Sequence, residues 1–108
     1  MTEHLPTLYA VKITIQPIAY ERVRAWLADK HVREVVAEPG FIGAEIVHLE
    51  ETGPSGEQAL LVIYRLTSRA ALETYFDSPA RTRFGQELSV FADVMRAERW
   101  IGGVAVQY

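Results

Sequence analysis

The sequence contains no cysteine, and this absence excludes several kinds of site at once. Disulfide bonds, thiolate nucleophiles and thiolate metal ligands are all ruled out. Long apolar runs are also missing, since no stretch approaches the ~20 residues that a membrane-spanning helix needs. The first residues, Met1-Thr2-Glu3-His4, lack the basic-then-apolar pattern of a signal peptide. We therefore expect a cytoplasmic protein that does not associate with a membrane.

An excess of basic residues is absent as well. The 108 residues include 11 Lys and Arg against 14 Asp and Glu, which gives a formal net charge of −3. No local run of Lys or Arg offsets this balance, so we expect no nucleic acid partner. Hydrophobic residues make up 49% of the chain. We therefore expect one domain, residues 1–108, that buries a hydrophobic core without the support of disulfide bonds or a structural metal.

Motifs for cofactors and metals are the third absence. The sequence has no G-x-G-x-x-G, no P-loop, no nucleophile elbow and no His-Glu-x-x-His, so no cofactor is implied. His48 and Glu50 share one face of a predicted strand, but two loosely placed ligands do not make a metal site, and His4 is too near the terminus to count as a third. We expect no metal. His48, Glu50 and the nearby Arg65 are better explained as the edge of a subunit interface.

Hydrophobic periodicity predicts the secondary structure. Residues 8–16, "LYAVKITIQ", alternate as a strand, and Pro17 opens a helix that runs to about Ala37, where Pro39-Gly40 ends it. Two strands follow, "FIGAEIVHLEE" from Phe41 and residues 57–66, joined by a turn rich in Gly and Pro.

Two helices and a last strand complete the chain. Ser68 is a candidate N-cap for a short helix, and Ser78-Pro79 starts another. The second helix carries an apolar stripe, and a final strand, "RWIGGVAVQY", begins past about Glu98. The members of the stripe are Phe84, Leu88, Phe91, Ala92 and Met95. The order β-α-β-β-α-α-β predicts an α+β, ferredoxin-like fold, with a four-stranded antiparallel sheet and all helices on one face.

Both faces of this sheet are apolar, although helices cover only one. The third strand carries apolar residues on its two sides, and the other strands extend the stripe on the uncovered side. We assign to the uncovered face Leu8, Ala10, Ile42, Ala44, Ile46, Ala59, Leu61 and Ile63. A large exposed apolar patch is rare on a monomer, so we expect a sheet-to-sheet homodimer. The alternative is that the terminal segments fold back over the sheet.

One histidine interrupts the apolar stripe of the first helix. Steps of four from Val23 reach Leu27, His31 and Val35, so the imidazole should point where the aliphatic side chains point. Either His31 is a packed core residue with a hydrogen-bond partner, or it lines a cavity.

The stretch "WLADKHVREVVAEPGF" resembles the helix-to-strand signature of the dimeric α/β-barrel superfamily. Members carry an aromatic residue, a His about a turn and a half later, and Pro-Gly-Phe at the start of the second strand. The stretch "IYRLTSRAALETYFDSPARTRFGQEL" is similar to their third strand and helix pair, so the resemblance covers residues 9–100. The chain is most similar to a small uncharacterised subfamily, annotated only as domains of unknown function, related to antibiotic-biosynthesis-monooxygenase-like proteins.

The resemblance implies a cavity within each subunit, between helices and sheet. The superfamily includes cofactor-free monooxygenases of aromatic polyketides, haem-degrading oxygenases, lactone isomerases and dehydratases, and members with no known activity. The matching cavity positions here are His31, Trp26, Tyr9 and Tyr64. Tyr75 stands where many monooxygenase-type relatives have a histidine, and the Asn/His/Trp set of the haem-degrading relatives is not found.

Six residues form the predicted site. His31 is the candidate catalytic acid or base, because an imidazole titrates near neutral pH. Tyr9 and Tyr64 are candidate donors to a substrate carbonyl, and Trp26 is a candidate stacking wall. Tyr75 and Phe84 complete the predicted substrate-binding set. Each also has a structural explanation, as a bonded imidazole or an ordinary core aromatic residue.

Two functions fit these patterns. The first is a homodimer that binds a small aromatic or carbonyl-containing molecule, possible chemistries being cofactor-free oxygenation or isomerisation. The second is a non-catalytic dimeric module that senses a ligand or binds a partner protein. A pocket of a few hundred Å³ beside His31 would favour the first function.

Overall fold

The computed structural model describes residues 5–108, apart from the side chains of residues 51 and 52. The four residues used above to argue against a signal peptide, with His4 among them, lie outside this range. The strands are β1 (Thr7–Ile15), β2 (Phe41–Thr52), β3 (Gln58–Leu66) and β4 (Met95–Gly103). The α-helices are α1 (Tyr20–Trp26), α2 (Val32–Val36), α3 (Arg69–Phe76) and α4 (Pro79–Leu88).

The four strands form one antiparallel sheet in the order β2-β3-β1-β4. This order and the position of the helices confirm the predicted ferredoxin-like fold. In the register of the two central strands, Tyr9 lies opposite Tyr64 and Val11 opposite Val62. All four are buried in the core between sheet and helices.

The first helical region is continuous but not uniform. A 3-10 turn, Pro17–Ala19, leads into α1, and a π-helical segment, Leu27–His31, joins α1 to α2. A row of residues spaced by four drifts around an α-helix, since one turn holds 3.6 residues. The π segment widens one turn and reduces this drift. Val23, Leu27, His31 and Val35 are therefore all buried, as the spacing predicts.

Both predicted serine caps are confirmed. The Ser68 side chain accepts a hydrogen bond from the Ala71 amide, and the Ser78 side chain accepts one from the Arg81 amide. The predicted length of the last helix is wrong. α4 ends at Leu88, a 3-10 turn covers Ser89–Phe91, and Met95 is the first residue of β4. Met95 would face the core either as the last residue of a helical stripe or as the first residue of a strand. The spacing of the apolar residues therefore cannot distinguish these two assignments.

A bulge in β2 changes which of its residues face the helices. Phe41 lies opposite Leu66 and Gly43 opposite Arg65, which leaves Ile42 as the extra residue. Ala44 and Ile46 consequently pack against the core, so their assignment to the uncovered face is wrong. His48 lies opposite Leu60 and also belongs to the helix side.

The uncovered face of the sheet is largely apolar, although Lys12 of β1 also lies on it, opposite Leu61. It carries alternate residues of β1 and β3, flanked by Val47 of β2 and by Trp100 of β4, which is 50% exposed. We call this surface the open sheet face and define it as Leu8, Ala10, Val47, Leu61, Ile63 and Trp100. An Arg65–Glu45 ion pair lies at its β2–β3 side. Within residues 5–108, no helix is both long and apolar enough to cross a membrane.

Candidate functional site

A cavity of about 50 Å³ lies between the helices and the covered face of the sheet. The strands contribute alternate residues that point toward the helices, and α4 contributes one face through residues spaced by three and four. The lining includes His31, the three tyrosines Tyr9, Tyr64 and Tyr75, and two arginines, Arg81 and Arg99. The remaining lining residues are Val11, Ile13, Leu27, Val62, Phe84, Gly85 and Leu88.

His31 is held between aromatic rings at the end of the π segment. Its imidazole stacks on the Trp26 indole, with ring centroids 4.6 Å apart, and meets the edge of Phe84 at 5.5 Å. The residue is 6% exposed. Neither ring nitrogen has a hydrogen-bond partner among the described residues, and Nδ1 is completely buried. The predicted structural role, an imidazole bonded to a carboxylate or a carbonyl, is therefore not what the structure shows.

Burial keeps this imidazole neutral. Loss of solvation lowers the pKa of His31 to about 4, and the nearby carboxylates of Glu87 and Glu34 oppose this effect without cancelling it. Both carboxylates are engaged by the Lys30 ammonium, at 3.3 Å and 3.1 Å. At neutral pH, His31 is a proton acceptor, but a weaker one than a histidine with an ordinary pKa.

The three tyrosines form a connected cluster. Tyr9 stacks on Tyr64 at 5.8 Å, and Phe41 packs edge-on against both Tyr64 and Tyr75. Burial raises the pKa of Tyr75 to about 12 and raises the pKa of Tyr64 well above its usual range. These hydroxyl groups stay protonated at neutral pH and can donate hydrogen bonds. Among the described residues, no side chain or backbone group bonds to either hydroxyl.

Two arginines give the cavity its charge. Arg99 Nε donates to the Tyr9 hydroxyl oxygen at 3.2 Å, and Arg81 lies over the Phe76 ring at 4.9 Å. Within the described part of the chain, neither guanidinium forms an ion pair with a carboxylate. The lining contains no acidic residue.

Five of the six predicted site residues line this cavity: Tyr9, His31, Tyr64, Tyr75 and Phe84. Trp26 does not line the cavity, and its indole instead stacks on the His31 imidazole. The sequence reasoning missed Arg81, Arg99 and Gly85. A signal for Arg99 exists, because it alternates with Met95, Ala97 and Ile101 and so occupies a core-facing position of β4. The sequence prediction began this strand only past Glu98, so Met95 and Ala97 were not recognised as part of the same alternation.

A second depression, of about 200 Å³, lies where β1 ends and β4 begins. Two of its charged lining residues, Glu57 and Arg96, bind each other at 3.0 Å. Elsewhere on the sheet, the His48 ring bonds the Gln58 side chain at 2.7 Å, and Arg65 pairs with Glu45. In the part of the chain that the structure describes, no group of three or more His, Asp or Glu residues is placed to hold a metal ion.

Solved structures with this fold cover nearly the whole chain. A variant of SnoaB, a cofactor-independent oxygenase from Streptomyces nogalater, matches with a TM-score of 0.68 at 13% identity over 94% of this chain and 95% of that one. HapK from Hahella chejuensis matches at 0.68 and 14% identity, over 94% and 96%. A dimeric ferredoxin-like protein from an uncultured marine organism matches at 0.65 and 13%, over 95% and 99%. At these identities the similarity establishes the fold.

The family is established by the sequence itself. No curated protein sequence matches the chain significantly. The profile described as "Domain of unknown function (DUF4286)" matches residues 6–99 of the 108. The resemblance to a subfamily of unknown function is thereby confirmed, and the solved structures show that the chain shares its fold with a cofactor-independent oxygenase. The chain belongs to the DUF4286 family.

Proposed function

We propose that the protein binds a small carbonyl-containing or phenolic molecule in the cavity between helices and sheet. One observation carries this proposal: His31 borders the cavity, and neither of its ring nitrogens has a hydrogen-bond partner among the described residues. A buried polar atom without a partner destabilises the folded protein, and a purely structural role for the imidazole would leave this cost uncompensated. The partnerless hydroxyls of Tyr64 and Tyr75 border the same space.

The cavity's size limits the ligand. Its volume is about 50 Å³, well below the few hundred Å³ expected of a pocket for an aromatic substrate and below the ~150 Å³ of an engineered cavity that binds benzene. A polycyclic aromatic molecule does not fit without a large movement. A small carbonyl compound fits better, and a single ring requires the exposed side of the cavity, at Arg99 and Gly85, to open.

The chemistry that fits these groups is proton transfer next to a carbonyl. Neutral His31 accepts a proton from the carbon beside the carbonyl, and tyrosine hydroxyls donate to the enolate oxygen that forms. The proton then returns to the same or a neighbouring carbon. Isomerisation requires no more than this, and cofactor-free oxygenation starts from the same enolate, with dioxygen as the co-reactant.

A binding experiment tests the first part of the proposal. Pyruvate, phenol and acetone are titrated into ¹⁵N-labelled protein while amide shifts are followed by NMR. Gly85 lines the cavity, and a Cβ there meets no atom within 4 Å, so the backbone position accepts a side chain and Gly85→Leu adds bulk at the cavity. We expect Gly85→Leu to weaken binding, whereas Ala70→Leu on the exposed surface of α3 leaves it unchanged. Equal binding by both variants would place the ligand elsewhere.

A second candidate is binding without catalysis, and the low pKa of His31 favours it. Exchange of the pyruvate methyl protons with D₂O separates the two functions. If His31 moves protons, the wild type accelerates exchange and His31→Gln does not, although pyruvate still binds. If exchange is no faster than in buffer, the cavity binds ligand without proton transfer.

We also propose that the open sheet face pairs with a second copy of the chain. Six apolar side chains lie along this face without helices over them, and such patches mark interfaces. Isologous pairing by a two-fold axis covers both copies at once.

A further inference from the structure

We propose that the ligand of the cavity is a small organic acid whose carboxylate binds between the guanidinium groups of Arg81 and Arg99. This inference rests on the proposed function, because it assigns a ligand class to the same cavity.

The first argument is the local charge. The chain as a whole has a net charge of −3, yet the charged residues that line the cavity are both arginines. The carboxylates whose charge acts on His31, Glu34 and Glu87, are each bound by Lys30 through one oxygen, and Glu38 acts on Tyr75. Arg99 is exposed and Arg81 is half-buried, so water solvates both charges in part when the cavity holds no ligand. Their combined positive potential attracts an anion to the cavity more strongly than a neutral molecule.

The second argument is that the arginine donors are not used up. Arg99 donates from Nε to the Tyr9 hydroxyl, so its two terminal nitrogens remain available to donate to a ligand. Arg81 lies over the face of Phe76, and this contact leaves the N–H groups at the edge of the guanidinium plane available. A guanidinium presents these donors as a planar fork that matches the two oxygens of a carboxylate.

The third argument is the balance of donors and acceptors. Tyr9 accepts from Arg99, and its own hydroxyl proton remains available for a second hydrogen bond. Tyr64 and Tyr75 are protonated at neutral pH, as phenols are, and burial raises the pKa of each further. The cavity therefore offers three hydroxyl donors beside two guanidinium groups, and the complementary ligand is rich in acceptors.

The test uses an acid and its amide, which have nearly the same shape and differ in charge. Propionate and propionamide, and as a larger pair benzoate and benzamide, are titrated into the full chain by NMR. We expect the acid of a pair to bind about 10-fold tighter, since hydrogen bonds to a charged group are worth about 1.5–3 kcal/mol and 1.4 kcal/mol is tenfold. Acid and amide of equal affinity would overturn this inference and leave the proposed function standing.

Arginine variants locate the anion. Arg81→Gln and Arg99→Gln should each lower the affinity for the acid about 10-fold and leave the amide unaffected. Arg69→Gln is the control, because Arg69 is exposed on α3 and pairs with Glu73 away from the cavity. An acid whose affinity falls equally in Arg69→Gln, or persists in both cavity variants, binds by general attraction and overturns the assignment. If neither acid nor amide perturbs cavity resonances, both this inference and the proposed function are wrong.

Discussion

At the scale of single residues, the most informative side chain is His31. Its spacing in the sequence correctly predicts that it points inward with Val23, Leu27 and Val35. Its lack of a hydrogen-bond partner could not be predicted, because that depends on which groups Trp26, Phe84 and α4 bring around it. An imidazole packed among rings and left unpaired is unusual for a structural residue.

The His31 environment predicts a specific loss of stability in acid. The pKa of His31 is about 4 in the folded protein and about 6.5 when unfolded, so the unfolded chain binds more protons below pH 6.5. Stability from this residue is therefore complete above pH 6.5 and falls as the pH drops toward 4. We expect about 2 kcal/mol of loss between pH 7 and 4.5 from His31 alone.

Urea denaturation at the two pH values measures this effect. His31→Phe keeps the ring stack on Trp26 but removes the titration, so its stability should change less over the interval than that of the wild type. His48→Gln, at an exposed position, should behave like the wild type. Identical pH dependence in His31→Phe and the wild type would show that the folded His31 titrates normally.

At the scale of elements, local signals located most boundaries. Pro17, Pro39-Gly40 and the caps Ser68 and Ser78 all act as predicted. These signals work because each depends on backbone geometry within a few residues. Two predictions were wrong. The bulge at Ile42 turns Ala44 and Ile46 of β2 toward the helices, and α4 ends at Leu88, so that Met95 belongs to β4 and not to the helix. Both depend on pairing with distant strands.

Gly40 links two elements and carries a prediction of its own. Its φ of +88° lies in the left-handed region, and a Cβ there would approach the Ala71 Cβ to 2.6 Å. We expect Gly40→Ala to destabilise the protein by about 2 kcal/mol or more, from backbone strain and from this overlap. Chemical denaturation provides the measurement.

A double variant separates the two causes. Ala71→Gly removes the overlapping methyl group, so Gly40→Ala should cost less in that background than in the wild type, and the remainder is the backbone strain. If the cost is the same in both backgrounds, the approach to α3 does not contribute.

At the scale of the whole molecule, the open sheet face predicts self-association. Leu61→Glu places a charge at the centre of this face, between Lys12 of β1 and Val47 of β2 in the strand register. We expect the wild type to sediment as a dimer at micromolar concentration and Leu61→Glu as a monomer with unchanged secondary structure.

The matched control is Ile18→Glu. Ile18 is 90% exposed in the 3-10 turn and lies off the open sheet face, so its replacement should leave the dimer intact. A wild type that sediments as a monomer under these conditions would refute the dimer proposal. Dissociation by both variants would place the interface elsewhere.

The sequence by itself determined the order of elements, the fold class and most of the cavity's aromatic lining. Alternation and four-residue spacing report which way a side chain points from its own strand or helix, and Tyr9, His31 and Tyr64 needed no more than that. The tertiary structure decided what those side chains meet. Arg99 contacts Tyr9 across 90 residues of sequence, and the cavity's charge and its volume of about 50 Å³ arise from such contacts. Periodicity is a local property, whereas the space, the charge and the unpaired donors of a site depend on how separate elements pack together.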